Sequence, residues 1–468
     1  MSDSDRSVPQ GRVRRTMPLA GFTARAAGGR MVAGLREKAG DEGAVVRFHE
    51  RTAERYAELL GHSKGVLMKA GQMFSLIDAG TVGSGELSPY QQALTRLQAD
   101  APPMDPALAR EVLERELGRR VDQVFADFTD EPMAAASIGQ VHRAVLPDGR
   151  QVAVKIQYPG VAEAIRSDLA NTELLVTVSR FVGATVLDLR AAAQEIAARI
   201  SEEVDYRHEA TNVTAFHDLY VGHPFIRIPQ VIPEASGDRV LTMTYLDGLD
   251  WAAALAADQD LKNTWAEVIS RMVTGSYRHA NLFHADPHPG NYRFGVDGSV
   301  GFVDFGCVKR LAEPQRRRIV VMVRATIDGR RDDLRAAMVE SGFLTEESTL
   351  TADEAYQWYT AILHELLIPQ PATYTPEASS RAVDALIDIR AADHPVRRMQ
   401  VPPDFVFFSR LNLSMNAVFT ALNATFYARS LLDDMDGVAA PITDLGKAHD
   451  DWLRQRGLPY GMDHHDEH

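Results

Sequence analysis

Hydrophobic positions change their period several times along this chain, and each change marks an element. Apolar residues recur at helical spacing around residues 56–76, and Pro102-Pro103 interrupts the pattern before another helical stretch. Period-two alternation then takes over. Residues 140–146 and Gln151-Val-Ala-Val-Lys155-Ile156 flank Pro147-Asp148-Gly149, which predicts two antiparallel strands joined by a tight turn. Residues 190–212 return to helical character with a row of carboxylates, most of them expected on a solvated face. Residues 292–296 and 299–303 predict a second hairpin around Asp297-Gly298. Beyond residue 249 the chain reads mostly as helix. Its longest apolar stretch, residues 405–427, is broken by Arg410, Asn412, Asn416 and Asn423 and reads as a buried helix, not as a membrane span.

Two short motifs frame the second hairpin: His284-Ala-Asp286-Pro-His-Pro-Gly-Asn291 and Asp304-Phe305-Gly306. An Asp followed five residues later by an Asn can supply a base that orients a hydroxyl and a Mg²⁺ ligand from one loop, and the second Asp can supply another ligand. The hairpin puts Asn291 and Asp304 at its open ends, and paired oxygen donors suit a hard octahedral cation. Read singly, each is an ordinary surface Asn or turn Asp. Lys155 fits a lysine that grips the α- and β-phosphates of ATP. A lysine on a buried strand needs a carboxylate partner. Glu203 is the first choice and Glu209 the next, while Glu195 and Glu202 read as solvated. Ala134-Ala-Ala136-Ser137-Ile-Gly139-Gln-Val141 aligns with the phosphate-covering pattern G-x-G-x-x-G-x-V, but only the third glycine remains. Ala134, Ala135, Ala136, Ser137, Gly139 and Val141 are therefore expected to form a stiffer loop over the nucleotide. Tyr245-Leu246-Asp-Gly248 reads as the hinge beside it.

The alanine segment, Val-Ala-Val-Lys155, Glu203-Val-Asp205-Tyr206, His-Ala-Asp286 and Asp304-Phe-Gly306, in this order, resemble the UbiB/AarF-type atypical kinase family. Lys69-Ala-Gly71-Gln72 matches the K-x-G-Q element that marks this family. The resemblance is dense over about residues 50–330 and continues more weakly to about 430. It implies an α+β, bilobal protein-kinase-like fold, with a small β-rich N-lobe, a helical C-lobe and an N-terminal helical extension carrying K-x-G-Q. It further implies that Lys155 pairs with Glu203, that Asn291 and Asp304 bind Mg²⁺, and that Asp286 is the base. Lys69 and Gln72 would lie over the active site near Asp205, with Glu209 as a further regulatory neighbour. The implied cofactors are ATP or ADP with Mg²⁺. The implied activity is ATP hydrolysis or phosphorylation of a small molecule, supporting isoprenoid-quinone biosynthesis, with a phenolic or isoprenoid partner. Ala285 stands where many kinases carry an arginine that reads a phosphorylated activation loop. After Cys307 a charged run, residues 313–318, precedes an apolar helix with no A-P-E element. Both departures favour water or a small molecule over a protein as acceptor. One alternative is a nucleotide-binding scaffold for membrane-associated biosynthetic partners. Another is a zinc hydrolase using His284, His288 and Asp286.

Composition narrows the picture further. A chain of 468 residues, 45% hydrophobic, is long enough for a bilobal core with appended segments. A formal charge of −14 without a basic, aromatic-rich patch argues against nucleic-acid binding. The single cysteine, Cys307, excludes an intramolecular disulfide framework and reads as a packed residue. The first 38 residues carry eight Lys or Arg against three acidic residues, which reads as a flexible basic arm without the apolar core of a secretory signal. The expected organisation is an arm at 1–40, a helical extension at 41–120, an N-lobe at 121–244, a C-lobe at 245–440 and a polar C-terminal tail at 441–468, frayed at its His-rich end. The expected location is cytoplasmic, with any membrane contact peripheral.

Overall fold

The computed structural model describes residues 103–136, 138–163, 204–387, 395–400 and 402–465. They belong to two compact units. One holds the described residues as far as Arg207 together with Ile232–Thr244, and the other holds His208–Val231 and the chain from Tyr245 onward. Lys69, Gln72, Ser137 and Glu203 lie outside the described residues.

The first unit is a twisted antiparallel sheet backed by a helix. Helix α1 (Pro106–Leu117) starts where the Asp105 side chain accepts from Ala107 N–H, with proline at its first position, and stops at Gly118 in the left-handed region. A short helix α2 (Val121–Val124) leads to β1 (Asp127–Phe128), β2 (Ala134–Ala136), β3 (Gly139–Val145) and β4 (Gln151–Gln157). With β6 (Val240–Thr244) the strand order is β1-β3-β4-β6, and β2 also pairs with β3. Along β4, Val152, Val154 and Ile156 are fully buried in one cluster with Ala109, Val112 and Leu113 of α1. Period-two geometry puts Ala153 and Lys155 on the opposite face. The described end of the expected helical extension is thus part of the sheet's own core.

The second unit is mainly helical. It takes in most of α3 (Tyr206–Tyr220), then β5 (Ile226–Arg227), α4 (Trp251–Leu255) and α5 (Gln259–Ala280). Helix α5 is the central strut, with Trp265, Val268, Ile269, Met272 and Val273 fully buried. Three short strands follow, β7 (Leu282–His284), β8 (Tyr292–Phe294) and β9 (Val300–Phe302), then β10 (Val308–Arg310). The helices α6 (Glu313–Ile327), α7 (Arg331–Glu340), α8 (Ala352–Ile362), α9 (His364–Leu367), α10 (Pro376–Ile387), α11 (Pro403–Ala421), α12 (Ala428–Met435) and α13 (Asp444–Arg456) complete it, with a small ribbon of β11 (Ala372–Thr373) and β12 (Thr425–Phe426). Among the described residues no helix is long and apolar enough to cross a membrane.

Both predicted hairpins form: β3 pairs antiparallel with β4, and β8 with β9. Four expectations are corrected. The alanine segment is not an open loop but strand β2, because Ala134, Ala135 and Ala136 register against Val141, Gln140 and Gly139. In place of the helix expected over 190–212, the described residues show one that starts at Tyr206, where the Asp205 side chain accepts from Arg207 N–H as a cap, and that runs on to Tyr220. The apolar helix expected to reach 427 stops at Ala421, where Asn423 enters the left-handed region and the chain turns into β12. Residues 441–465 are no polar tail apart from the core. Thr443 caps α13, Trp452 and Leu453 are buried, and the segment beyond it is bonded to α6. The charged run at 313–318 is the first turns of α6, where Glu313 and Arg316 are buried against this segment.

Candidate functional site

In the first unit, Lys155 lies in the middle of β4, between Val141 on β3 and Leu241 on β6. It is only 8% exposed, and its Nζ sits 5.5 Å from the centroid of the buried Tyr206 ring. A desolvated ammonium over an aromatic face gains from the ring quadrupole, so the strand holds the lysine extended on the face opposite the α1 core. Tyr206, the last residue of the Glu203-Val-Asp205-Tyr206 motif, is thus part of the lysine's surroundings. Gly139 has a packing reason for being glycine: a Cβ there would lie 2.2 Å from the Ile156 carbonyl oxygen of β4. The third glycine of the pattern therefore serves the close approach of two strands, whatever else it does.

In the second unit the two motifs come together around the β8–β9 hairpin. The Asn291 backbone carbonyl accepts from Val303 N–H at 3.0 Å, which ties the residue before Asp304 to Asn291. The Asn291 side-chain amide donates to the Asp286 carbonyl at 3.2 Å and reaches its carboxylate at 3.4 Å. The Asp304 carboxylate accepts from Gly306 N–H at 3.0 Å, which fixes its rotamer. Phe305 is fully buried, 4.9 Å from Phe216 and 5.3 Å from His284 between ring centroids. The backbone of the triplet is held from both sides: Asn212 donates its amide to Phe305 C=O at 3.0 Å, and His284 Nε2 bonds Asp304 C=O at 2.9 Å. β7 pairs with β10 with His284 opposite Val308, and Ala285 N–H bonds Cys307 C=O, so the loop before Asp286 and the chain after the triplet are stitched into one ribbon.

These contacts give His284 a structural task. It is 2% exposed and wedged edge-on to Phe216 and Phe305, while His288 is exposed and uses Nδ1 to accept from Gly290 N–H. No group of three or more His, Cys, Asp or Glu able to hold a metal occurs among the described residues, so the zinc-hydrolase alternative finds no geometric support. Tyr292 is fully buried, and burial together with the Asp286 charge raises its phenol well above the usual range, which keeps it neutral. Asp205 caps the start of α3, and Glu209, in the helix's first turn, is 3% exposed. Tyr245 and Leu246 follow directly on β6, and Leu246 packs against Gly301 of β9. Gly248 approaches the Arg293–Phe294 backbone at a φ of +149°, where a side chain would be strained.

Asn212 and Tyr206 were missed because nothing in local pattern separates them from ordinary helix residues. Their significance comes from partners more than 40 positions away.

The oxygen donors at Asn291 and Asp304, with an Asp at the head of the same loop, are the kind a hard divalent cation prefers. Comparison with known proteins shows the family. The sequence pattern of the ABC1 atypical kinase-like domain matches residues 96–338. The chain is 30% identical over 399 residues to the protein named atypical kinase COQ8B, mitochondrial, of Rattus norvegicus, covering 84% of this chain and 73% of that protein. It is 31% identical over 317 residues to atypical kinase COQ8, mitochondrial, of Saccharomyces cerevisiae, covering 66% of this chain and 61% of that protein. A solved structure from Mycobacterium tuberculosis, titled as the complex of Rv3197 with erythromycin, superposes with a TM-score of 0.59 at 29% identity, over 86% of this chain and 97% of that one. The mixed α+β architecture is kinase-like, and the chain belongs to the ABC1 atypical kinase-like family, the UbiB/AarF-type group of the motif resemblance.

Proposed function

We propose that this protein binds ATP with Mg²⁺ and hydrolyses it or transfers its phosphoryl group to a small molecule, in support of isoprenoid-quinone biosynthesis. The observation that carries the reading is the β8–β9 hairpin, where Asn291 C=O bonds Val303 N–H and the Asn291 amide reaches Asp286, so base and metal-ligand candidates share one hydrogen-bonded frame. Bound Mg²⁺ would neutralise phosphate charge. Asn291 and Asp304 would hold it, Lys155 would grip the phosphates, and Asp286 would orient the attacking hydroxyl or water and accept its proton. Glu203 would pair with Lys155, Tyr245 and Leu246 would flank the nucleotide, and Lys69 and Gln72 would act near Asp205 and Glu209 to restrict access. Membrane contact would be peripheral.

A second reading, a nucleotide-binding scaffold without required turnover, draws on β2: the segment expected to fold over phosphate is pinned to β3 in a strand ladder. Asp286→Asn separates the two. For the enzyme, ATP hydrolysis and function in a complementation assay fall together by roughly 10²-fold or more while nucleotide binding persists. Retained function with retained binding would assign the scaffold.

A further inference from the structure

In the first unit a buried cation faces a buried ring: Lys155 Nζ lies 5.5 Å from the centroid of Tyr206, with the lysine 8% and the tyrosine 1% exposed. The ring is anchored from two sides. Gln157, on the same face of β4 as Lys155, donates its side-chain amide to Val204 C=O at 2.9 Å, and the Asp205 carboxylate caps α3 by accepting from Arg207 N–H at 3.0 Å. The strand that carries the lysine thus also holds the turn that carries the ring. Tyr206 belongs to neither apolar cluster of the described residues, so the packing of those cores does not account for its burial.

The physics of the pair decides what the ring can do. A buried ammonium needs compensation, and a carboxylate supplies it by offsetting the charge. An aromatic face supplies it differently: its quadrupole attracts a cation within about 6 Å of the centroid, yet the pair keeps its whole positive charge. A lysine held this way stays ionised, extended and able to attract an anion.

We propose that Tyr206 is a positioning residue for Lys155, its ring keeping the ammonium charged and in place for the phosphates of a nucleotide, alongside any carboxylate partner. The proposal rests on the reading of Lys155 as a phosphate ligand and adds a second, neutral support to it. Tyr206 acts through the lysine.

The test changes the ring's electronics at nearly constant shape. In the full chain, Tyr206→Phe is compared with 4-fluoro- and 3,4,5-trifluorophenylalanine at position 206, whose ring faces are progressively less negative but no less apolar. Acylation of Lys155 by acetic anhydride is followed by mass spectrometry, with the exposed Lys447 as internal reference. It should match wild type in Tyr206→Phe and accelerate stepwise, to about fivefold with the trifluoro ring, because the ammonium loses its support. The dissociation constant for ATP with Mg²⁺ should rise by about the same factor in the same order. Acylation and ATP binding both indifferent to fluorination would reduce Tyr206 to a packed ring and overturn the proposal. Faster acylation with unchanged ATP binding would overturn it too, since the ring would then hold a lysine that does not serve phosphate. Failure of the nucleotide reading looks different: the wild-type chain would bind no ATP while the acylation series persisted, and the positioning role would fall with that reading.

Discussion

Arg316→Ala is the substitution whose cost is most directly legible in the second unit. The guanidinium is fully buried, donates twice to Glu313 at 2.6 Å, and clasps the carbonyls of Gly461 and Asp463 at 2.6 and 2.7 Å. Removing it strands a carboxylate that is 3% exposed and leaves His465 N–H, at 3.2 Å, as a remaining donor to it. Breaking one side of a buried ion pair costs about 3–5 kcal/mol, and the lost carbonyl bonds add to the release of the segment after α13. Burial alone would push the Glu313 carboxyl up, yet its bonds to Arg316 and His465 N–H hold it below the usual range. Its stabilisation is therefore present at neutral pH and fades as pH falls through the folded value. Urea denaturation followed by tryptophan fluorescence, with Trp452 on α13 as a local reporter, should show the midpoint lowered by about 1–2 M. Hydrogen exchange over 457–465 should rise in parallel. Glu313→Leu combined with Arg316→Met should recover much of the loss, because an apolar pair leaves no stranded charge. A midpoint within about 0.3 M of wild type for Arg316→Ala would refute the reasoning.

Other consequences are equally concrete. His223, His449 and His279 form a buried chain: His223 Nδ1 accepts from Ile226 N–H, which leaves Nε2–H for His449 at 3.0 Å, then His449 to His279 at 3.3 Å and His279 to Pro459 C=O at 2.8 Å. Burial, with Arg271, Arg227, Arg278 and His465 nearby, lowers all three pKa values, that of His279 to about 3. A histidine held neutral takes up its proton on unfolding, so stability should drop as pH falls below about 6.5, by up to ~1.4 kcal/mol per pH unit for each ring. His449→Gln should flatten that slope in denaturation at pH 5 to 7, and an unchanged slope would reject the chain's role. Gly139→Ala should cost at least about 2 kcal/mol because its Cβ meets Ile156 C=O, whereas Ala134→Gly should stay within about 1 kcal/mol in the same thermal scan. Asn212→Leu removes a hold on the D-F-G backbone and should lower Mg²⁺-dependent turnover about 10–100-fold with the fold intact, and unaltered turnover would show that Phe305 needs no such support.

The two hairpins were readable because each rests on local signals: period-two alternation around Pro147-Asp148-Gly149 and around Asp297-Gly298. So was the pairing of the two C-terminal motifs, since a short hairpin leaves little freedom for where Asn291 and Asp304 lie. The alanine segment was misread as a loop because alignment with a glycine-rich pattern carries a loop's expectation with it, while three alanines also satisfy a strand ladder. The C-terminal segment read as a tail because its composition is polar. Its order comes from Arg316 and Glu313, some 145 residues or more earlier in the chain, which no local window can reveal. Burial of charge in α6 was hidden for the same reason: Glu313 and Arg316 look like a solvated face until their partners are known.

Calorimetric titration of ATP with and without Mg²⁺, on the wild-type chain, Lys155→Met and Asp304→Asn, tests the central claim most directly. The account predicts ATP binding that Mg²⁺ strengthens in the wild type, weaker binding in Lys155→Met, and loss of the Mg²⁺ effect in Asp304→Asn. Nucleotide binding indifferent to Mg²⁺ and to both substitutions, or no nucleotide binding by the folded protein, would contradict it.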